Sequence, residues 1–184
     1  LEHCVMMFRS AGVSEIMAVT GHRHQEVAVE CSRLQIKEIY NPYYDHGMMS
    51  SVQTGTNFLP EDADAFFILP VDVFLVRPWS VSYLYSIFQT NRPLLVYPCF
   101  QGKRGHPPLI STRLRETIIN SNPEGGLRKV LEQFQQFAFE AAVFDRNVLL
   151  DMDHPEDFPE MVKRADRIRR LDSQEAWELV KHVC

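Results

Sequence analysis

The stretch Ala65-Phe66-Phe67-Ile68-Leu69-Pro70-Val71-Asp72 decides the fold class. Its first five residues are all apolar, which is typical of a strand that is buried on both faces of a parallel sheet. Pro70 ends that strand, and Asp72 follows with a carboxylate just beyond it. In open α/β sheets, ligands bind outside the carboxyl ends of the strands. A carboxylate at this place suits Mg²⁺, which takes oxygen ligands, although a turn aspartate or a helix cap is the plain alternative.

Strand and helix patterns alternate on either side of this stretch. Apolar runs predict further strands at 16–19, 35–40, 94–97, 107–111, 139–144 and 148–150. Helical periodicity predicts helices at 1–8, 27–31 and 51–58, after Pro78, after Gly126, and at 158–168 and 173–183. The alternation predicts an α/β domain with a mostly parallel sheet and helices on both faces.

Composition excludes several classes of protein. The chain has 184 residues and a formal net charge of −5. That length favours one domain with a core of its own, and an acidic domain is a poor general binder of nucleic acid because phosphate contacts need a basic surface. The longest apolar stretch, 65–76, is too short to span a bilayer. The four cysteines match no zinc or redox spacing, which favours reduced thiols in a cytoplasmic protein.

A second acidic cluster follows the predicted strand at 148–150, in Asp151-Met152-Asp153-His154-Pro155-Glu156-Asp157. Asp151 and Asp153 would complete a metal site with Asp72 if the carboxyl ends of the two strands meet at one edge of the sheet. Helix capping is the alternative, because Asp153 and Glu156 have the spacing of a capping box and acidic residues favour a helix N-terminus.

A turn rich in glycine and charge lies at Gly102-Lys103-Arg104-Gly105-His106-Pro107. Glycine lets a backbone approach a ligand closely, and the two cations suit phosphate. A solvated hairpin turn explains the same residues.

Two further short motifs lie at the start of a predicted helix and at the end of a predicted strand, where a ligand can bind. Gly47-Met48-Met49-Ser50-Ser51 precedes a predicted helix, whose N-terminus can bind an anion, although ordinary capping by either serine also explains them. Thr20-Gly21-His22 ends the predicted strand at 16–19, and His22 with His24 is read as a surface pair rather than as a metal site.

These motifs occur in an order and spacing that resemble the MobA-like nucleotidyltransferase family, especially its molybdenum cofactor cytidylyltransferase branch. The resemblance covers residues 1–160 and leaves 161–184 as a C-terminal helical extension. It implies a Rossmann-like three-layer sandwich. It also implies a Mg²⁺-dependent reaction in which the phosphate of an acceptor such as molybdopterin attacks the α-phosphate of an NTP, with CTP favoured, and pyrophosphate leaves.

The resemblance also implies roles for individual residues. Asp72 and Asp153 would be catalytic, and both would hold the metal together with Asp151. The residues implied to contact nucleotide or acceptor are Gly21, His22, Asn41, Gly47, Met48, Ser50, Gly105 and His106. The implied partners are small molecules, with a fused domain or a molybdoenzyme as a further partner, and include neither nucleic acid nor membrane.

The sequence departs from the family pattern in three places. Phe74 stands where the family has a proline, and His154 stands where it has a threonine. The family's glycine-rich loop, Leu-x-Ala-Gly-x-Ser-x-Arg-Met-Gly, holds the triphosphate and is absent from residues 1–184. We therefore expect residues 1–184 alone to be inactive. Two alternative functions stay open, a sugar- or alcohol-phosphate nucleotidyltransferase and a non-catalytic module that binds nucleotides.

Overall fold

The structure is a computed structural model that describes residues 1–151, Pro159 and Lys163. Helices and strands alternate along most of the described chain. In chain order they are α1 (Glu2–Ser10), β1 (Met17–Thr20), α2 (His24–Arg33), β2 (Lys37–Tyr40), α3 (Met48–Asn57), β3 (Ala65–Phe67), α4 (Pro78–Asn91), β4 (Leu95–Phe100), β5 (Lys103–Arg104), β6 (Leu109–Ser111), α5 (Arg115–Ile119), α6 (Gly126–Glu132) and β7 (Ala138–Ala142). None of the helices in this part of the chain is long and apolar enough to cross a membrane.

The described strands form two sheets. β1 and β2 pair in parallel, from Met17 opposite Lys37 to Thr20 opposite Tyr40. In the second sheet β6 lies between β3 and β4, β7 pairs with the other edge of β4, and β5 pairs with the end of β4. Because β6 runs antiparallel to both of its neighbours, β3 and β4 share a direction, and β7 is parallel to β4. The carboxyl ends of β3, β4 and β7 therefore meet at one edge.

Helices cover both faces of the second sheet. Neighbouring residues of β4 point to opposite faces, as the pleat of a strand requires. Leu95 packs with Ile110 and Leu131 on the face that α3, α5 and α6 cover. Val96 packs with Leu84 on the face that α4 covers. The structure thus confirms the predicted Rossmann-like three-layer α/β sandwich.

The sheets are mixed rather than mostly parallel. Among the described strands two pairings are parallel and three are antiparallel. The cause is the turn after β4, where Gln101 and Gly102 have φ angles of 50° and 76°. Two successive left-handed residues make a tight hairpin turn, so the chain reverses and returns as β5 and then β6.

Two predicted elements differ in type or extent. The apolar run at 148–150 is not a strand, because Arg146–Leu149 forms a 3₁₀ turn that the Asp145 side chain caps through the backbone N–H of Asn147. The sequence continues the apolar spacing of the helix predicted after Gly126 to Phe134 and Phe137, but helix α6 ends before them, at Glu132. The helices predicted at 158–168 and 173–183 lie outside the described residues, apart from the single positions Pro159 and Lys163.

A cavity of about 570 Å³ lies between β1 and β3. Its wall contains the whole of β1 and the segment from Phe66 to Val71, together with residues of α1 and α3. Most of the lining residues are apolar. The two sheets therefore face each other across an apolar gap instead of pairing.

Candidate functional site

Asp72 lies in a turn beyond the end of β3. The N–H of Val73 donates to the carbonyl oxygen of Pro70 at 3.1 Å and closes that turn. The Oδ1 atom of Asp72 is buried and accepts no hydrogen bond from the described part of the chain. A buried carboxylate oxygen without a donor is costly, and a bound cation is one way to compensate it. The observed environment of Asp72 therefore fits a metal ligand.

The thiol of Cys4 is a near neighbour of Asp72. Its Sγ donates to the carbonyl oxygen of Val71 at 3.7 Å. Burial is the main cause that raises the pKa of this thiol, and the charge of Asp72 adds to the rise. Cys4 is consequently a neutral packing residue at neutral pH rather than a thiolate ligand or nucleophile.

His106 lies close to both Asp72 and Asp151. Its side chain reaches solvent, yet the surrounding protein displaces enough water to lower the pKa of the imidazole, while Asp72 and Asp151 act in the opposite direction. A pKa below the ordinary value keeps His106 neutral at pH 7. The influence of both carboxylates on His106 places three of the predicted site residues, Asp72, His106 and Asp151, in one region, which we call the acidic edge.

Position 105 requires glycine because the backbone of Val148 passes close to it. A Cβ atom at this position would lie 2.3 Å from the carbonyl oxygen of Val148. The N–H of Gly105 donates to Pro98 O at 2.8 Å, and the N–H of His106 donates to Val148 O at 2.7 Å. The loop that carries His106 is therefore fixed directly against the turn that leads to Asp151.

The two cations beside Gly105 form part of a hairpin. Arg104 pairs with Glu140 at 2.7 Å, and its guanidinium lies 4.7 Å from the centroid of the Tyr97 ring. The backbone of Lys103 pairs opposite Phe100 in β4. The hairpin interpretation accounts for Arg104 without a bound phosphate.

Three of the predicted substrate residues, Gly21, His22 and Met48, line the cavity, and a fourth, Gly47, directly precedes Met48 at the start of α3. We call them the cavity rim. A Cβ atom on Gly21 would lie 2.3 Å from Cβ of Tyr44, whose ring centroid is 6.3 Å from that of His22. Met48 is 73% exposed. The cavity rim therefore offers exposed side chains on a closely packed backbone.

Asn41 and Ser50 support the cavity rim from inside. Asn41 is fully buried, and its Nδ2 donates to the hydroxyls of Ser50 at 2.8 Å and Ser51 at 3.0 Å. Its Oδ1 accepts from the N–H of Tyr43 at 2.9 Å. All the side-chain contacts that the structure shows for Asn41 are thus internal, and they tie the end of β2 to the start of α3.

The cavity extends from the cavity rim to the end of the segment that precedes Asp72. Its wall contains Gly21, His22 and Met48, and on the opposite side Pro70 and Val71, which directly precede Asp72. Asp153 lies outside the described residues, so its place relative to the acidic edge stays a prediction. Within 1–151, Pro159 and Lys163 no group of three His, Cys, Asp or Glu side chains is arranged to hold a metal ion.

Asp145 is not among the site residues predicted from the sequence, yet it is a fully buried carboxylate with four hydrogen bonds. One signal was available, because Asp145 follows the predicted strand at 139–144 as Asp72 follows the strand at 65–69. A second signal is that an aspartate next to an apolar run is rarely buried unless other groups pair with it.

Residues 1–138 match the family described as the MobA-like NTP transferase domain. The chain belongs to this family. Family membership makes residues 1–138 a MobA-like NTP transferase domain by class. The sequence-based family prediction is therefore confirmed.

One curated relative gives a short match to this MobA-like chain. The "Bifunctional IPC transferase and DIPP synthase" of Rubrobacter xylanophilus is 41% identical over 64 residues. The match spans 33% of this chain and 15% of that protein. The chain thus corresponds to only a small part of the bifunctional protein.

Solved structures share the fold at low identity. A nucleotidyl transferase from Methanothermobacter superposes with a TM-score of 0.75 at 18% identity, covering 90% of this chain and 80% of that one. The manganese complex of Rv0371c from Mycobacterium tuberculosis superposes with a TM-score of 0.72 at 16% identity, covering 88% and 85%. At these identities the likeness shows the fold alone.

Proposed function

We propose that this MobA-like chain transfers CMP from CTP to a phosphate-bearing acceptor such as molybdopterin, with release of pyrophosphate. The observation that carries the proposal is the buried Oδ1 of Asp72, which accepts no hydrogen bond from residues 1–151 and lies in one region with His106 and Asp151. These groups lie beyond the carboxyl ends of parallel strands, where ligands bind in α/β sheets.

The acidic edge would hold a divalent cation, which we propose to be Mg²⁺. Asp72 and Asp151 are the carboxylates that the described chain offers, and Asp153 is the further ligand that the sequence predicts. A cation there supplies positive charge next to the phosphates of the nucleotide. The Rv0371c protein, which shares the fold, forms a complex with manganese, and this supports a divalent metal here.

The protein's own part in the proposed reaction is positioning. The acceptor phosphate is itself the nucleophile, so no covalent enzyme nucleophile is needed, and catalysis depends on holding two phosphates in line. Neutral His106 can donate one hydrogen bond to a phosphate oxygen without adding a charge. Gly21 and Met48 lie where they would contact nucleotide or acceptor at the cavity rim.

Two observations bear on the activity expected of residues 1–184 by themselves. The family's glycine-rich triphosphate loop has no counterpart among them. The cavity beside Gly21 and Pro70 leaves the edges of β1 and β3 unpaired with each other. We therefore expect residues 1–184 alone to release pyrophosphate slowly or not at all, and a chain extended by a strand and loop of the family form to release it faster.

A cytoplasmic location is part of the proposal. Cys4, Cys31 and Cys99 are buried and free of disulfides. Free buried thiols suit a reducing compartment, which is also where nucleoside triphosphates are made and used.

A sugar- or alcohol-phosphate nucleotidyltransferase is the second candidate. The Rubrobacter relative favours it, because that protein is named as an IPC transferase rather than as a molybdopterin enzyme. The acidic edge serves either acceptor, since both present a phosphate.

Pyrophosphate release separates these candidates. The extended chain would be assayed with each of the four NTPs and Mg²⁺, against molybdopterin and against simple sugar and alcohol phosphates. Release with CTP and molybdopterin supports the first proposal, and release with alcohol phosphates alone supports the second. If no pair releases pyrophosphate while nucleotide still binds, the chain is a nucleotide-binding module and the proposed transferase activity is wrong.

A further inference from the structure

We propose that Asp145 is a positioning residue, whose buried carboxylate sets the spacing between the turn that carries Asp72 and the segment that leads to Asp151. The inference rests on the proposed function, in which those two carboxylates share a cation. Asp145 itself lies inside the protein and acts through these neighbours rather than by touching substrate or metal.

The two oxygens of Asp145 contact different parts of the chain. Oδ2 accepts from the N–H of Arg77 at 2.8 Å and from the hydroxyl of Ser80 at 2.9 Å, at the start of α4. Oδ1 accepts from the N–H of Asn147 at 3.1 Å and from its Nδ2 at 2.8 Å. One carboxylate therefore joins two segments that are 68 positions apart in sequence.

The Arg77 side of the bridge leads back to Asp72. The segment between them, Val73 to Val76, is buried, with none of its four side chains more than 8% exposed. A packed segment of this kind transmits a displacement of its end to its beginning, because core side chains have little free space into which they can move. The position of the Arg77 N–H thus constrains the position of Asp72.

The Asn147 side of the bridge leads to His106 and Asp151. Asn147 belongs to the 3₁₀ turn Arg146–Leu149, in which Val148 O accepts from the N–H of His106 at 2.7 Å. The N–H of Leu150 donates to Asn147 O at 3.2 Å, and Asp151 follows directly. Fixing Asn147 therefore fixes the other two members of the acidic edge.

A carboxylate suits this place better than its amide. All four donors point at acceptor oxygens, whereas asparagine would direct its NH₂ group at the donors of one side. The N-terminus of α4 also favours a negative charge at Arg77 and Ser80. Asp145→Asn should therefore release one of the two segments while it keeps the size of the side chain.

The test measures Mn²⁺ binding by residues 1–184, using the electron paramagnetic resonance signal of the free ion. We expect Asp145→Asn to raise the Kd for Mn²⁺ by about 10-fold or more, the scale on which outer residues act on a metal site. It should also shift the ¹³C resonance of the His106 ring. Ser111→Ala is the control, because it also removes a buried side-chain acceptor, here at the far end of β6, and should change neither signal.

The outcomes distinguish a failure of the proposed function from a failure of the positioning role. If wild type binds Mn²⁺ no better than Asp72→Asn, the metal assignment of the proposed function fails, and the His106 resonance still tests Asp145. If folded Asp145→Asn keeps both the wild-type Kd and the wild-type resonance, the positioning role is wrong. Should Asp145→Asn not fold, Ser80→Ala and Asn147→Ser each remove a donor from one oxygen. We then expect smaller changes of the same kind, and wild-type signals in both would also overturn the role.

Discussion

The acidic edge and the cavity rim differ in how they are held. Beside the acidic edge Asp145 and Asn147 are buried, with at most 1% exposure, and the Asp145 carboxylate accepts from the backbone N–H groups of Arg77 and Asn147, which lie in two segments far apart in sequence. At the cavity rim Met48 is 73% exposed and no described strand pairs with the free edge of β1. The difference indicates that internal hydrogen bonds hold the chain beside the acidic edge in place, whereas the edge of β1 that no described strand pairs with can adapt to a substrate.

The largest effect is expected from Asp72→Asn at the acidic edge. Loss of a metal carboxylate removes several kcal/mol of charge stabilisation, so pyrophosphate release by an active chain should fall roughly 1,000-fold. The melting temperature should stay the same or rise, because the buried Oδ1, which has no hydrogen-bond donor among the described residues, no longer belongs to a charged group. Asp62→Asn, an exposed carboxylate ten residues earlier, is the control and should keep full activity. Near-normal turnover of Asp72→Asn would remove the acidic edge from the chemistry.

Gly105→Ala tests how rigid the acidic edge is. The new Cβ would meet Val148 O and displace the 146–149 turn, which should lower the free energy of unfolding by about 3 kcal/mol. Gly102→Ala is the matched control: its Cβ meets no atom within 4 Å, and only its φ of 76° opposes it, at roughly 1 kcal/mol. Urea denaturation measures both. Equal losses of unfolding free energy in the two variants would show that the 146–149 turn can move to make room for the new Cβ, which would contradict a rigid acidic edge.

Asn41→Ala makes the same test beside the cavity rim. The substitution removes three internal hydrogen bonds and leaves the N–H of Tyr43 without its partner, so we expect a loss of about 2 kcal/mol. The Kd for Mn²⁺ should not change, since the acidic edge has its own supports. A parallel loss of Mn²⁺ affinity would mean that the two regions are coupled across the cavity.

The smallest effect is expected from His106→Gln. The pKa of His106 is lowered in the folded protein, so the unfolded chain binds more protons and stability falls as pH drops below about 6.5. Removing the imidazole should flatten this slope between pH 7 and pH 5, by no more than the roughly 0.5 kcal/mol usual at exposed positions. Denaturation at the two pH values gives the difference, and a steeper slope in the variant would contradict the direction of the pKa change.

Local patterns were enough to predict the fold class and the place of Asp72. An apolar strand that ends in Pro70 requires only neighbouring residues to be recognised. The mixed sheet depends on left-handed backbone at Gln101 and Gly102 and on which edge of β4 receives β6, and neither is visible in a run of apolar residues. The direction of a strand is decided by its turn and its partners rather than by its own composition.

The sequence motifs identified positions at which the residue type is constrained. They did not identify the atoms that cause the constraint. Gly105 and Asn41 stand out in the sequence as such positions, and the structure shows Val148 O against the first and two serine hydroxyls on the second. Those partners are 43 positions away for Gly105 and about ten for Asn41. Their roles toward a substrate stay predictions, because internal contacts explain both residues.

The gap between the sheets also implies that the amide protons of β1 and β4 exchange with water at different rates. β4 is paired along both of its edges, so its amide protons are protected from either side. β1 is paired only with β2 among the described strands, and its other edge borders the cavity. Amide protons exchange through local opening, which is easier at an unpaired edge. In deuterated water, the amides of β1 that face the cavity should therefore lose their protons long before those of β4, and any segment that enters the gap would slow them.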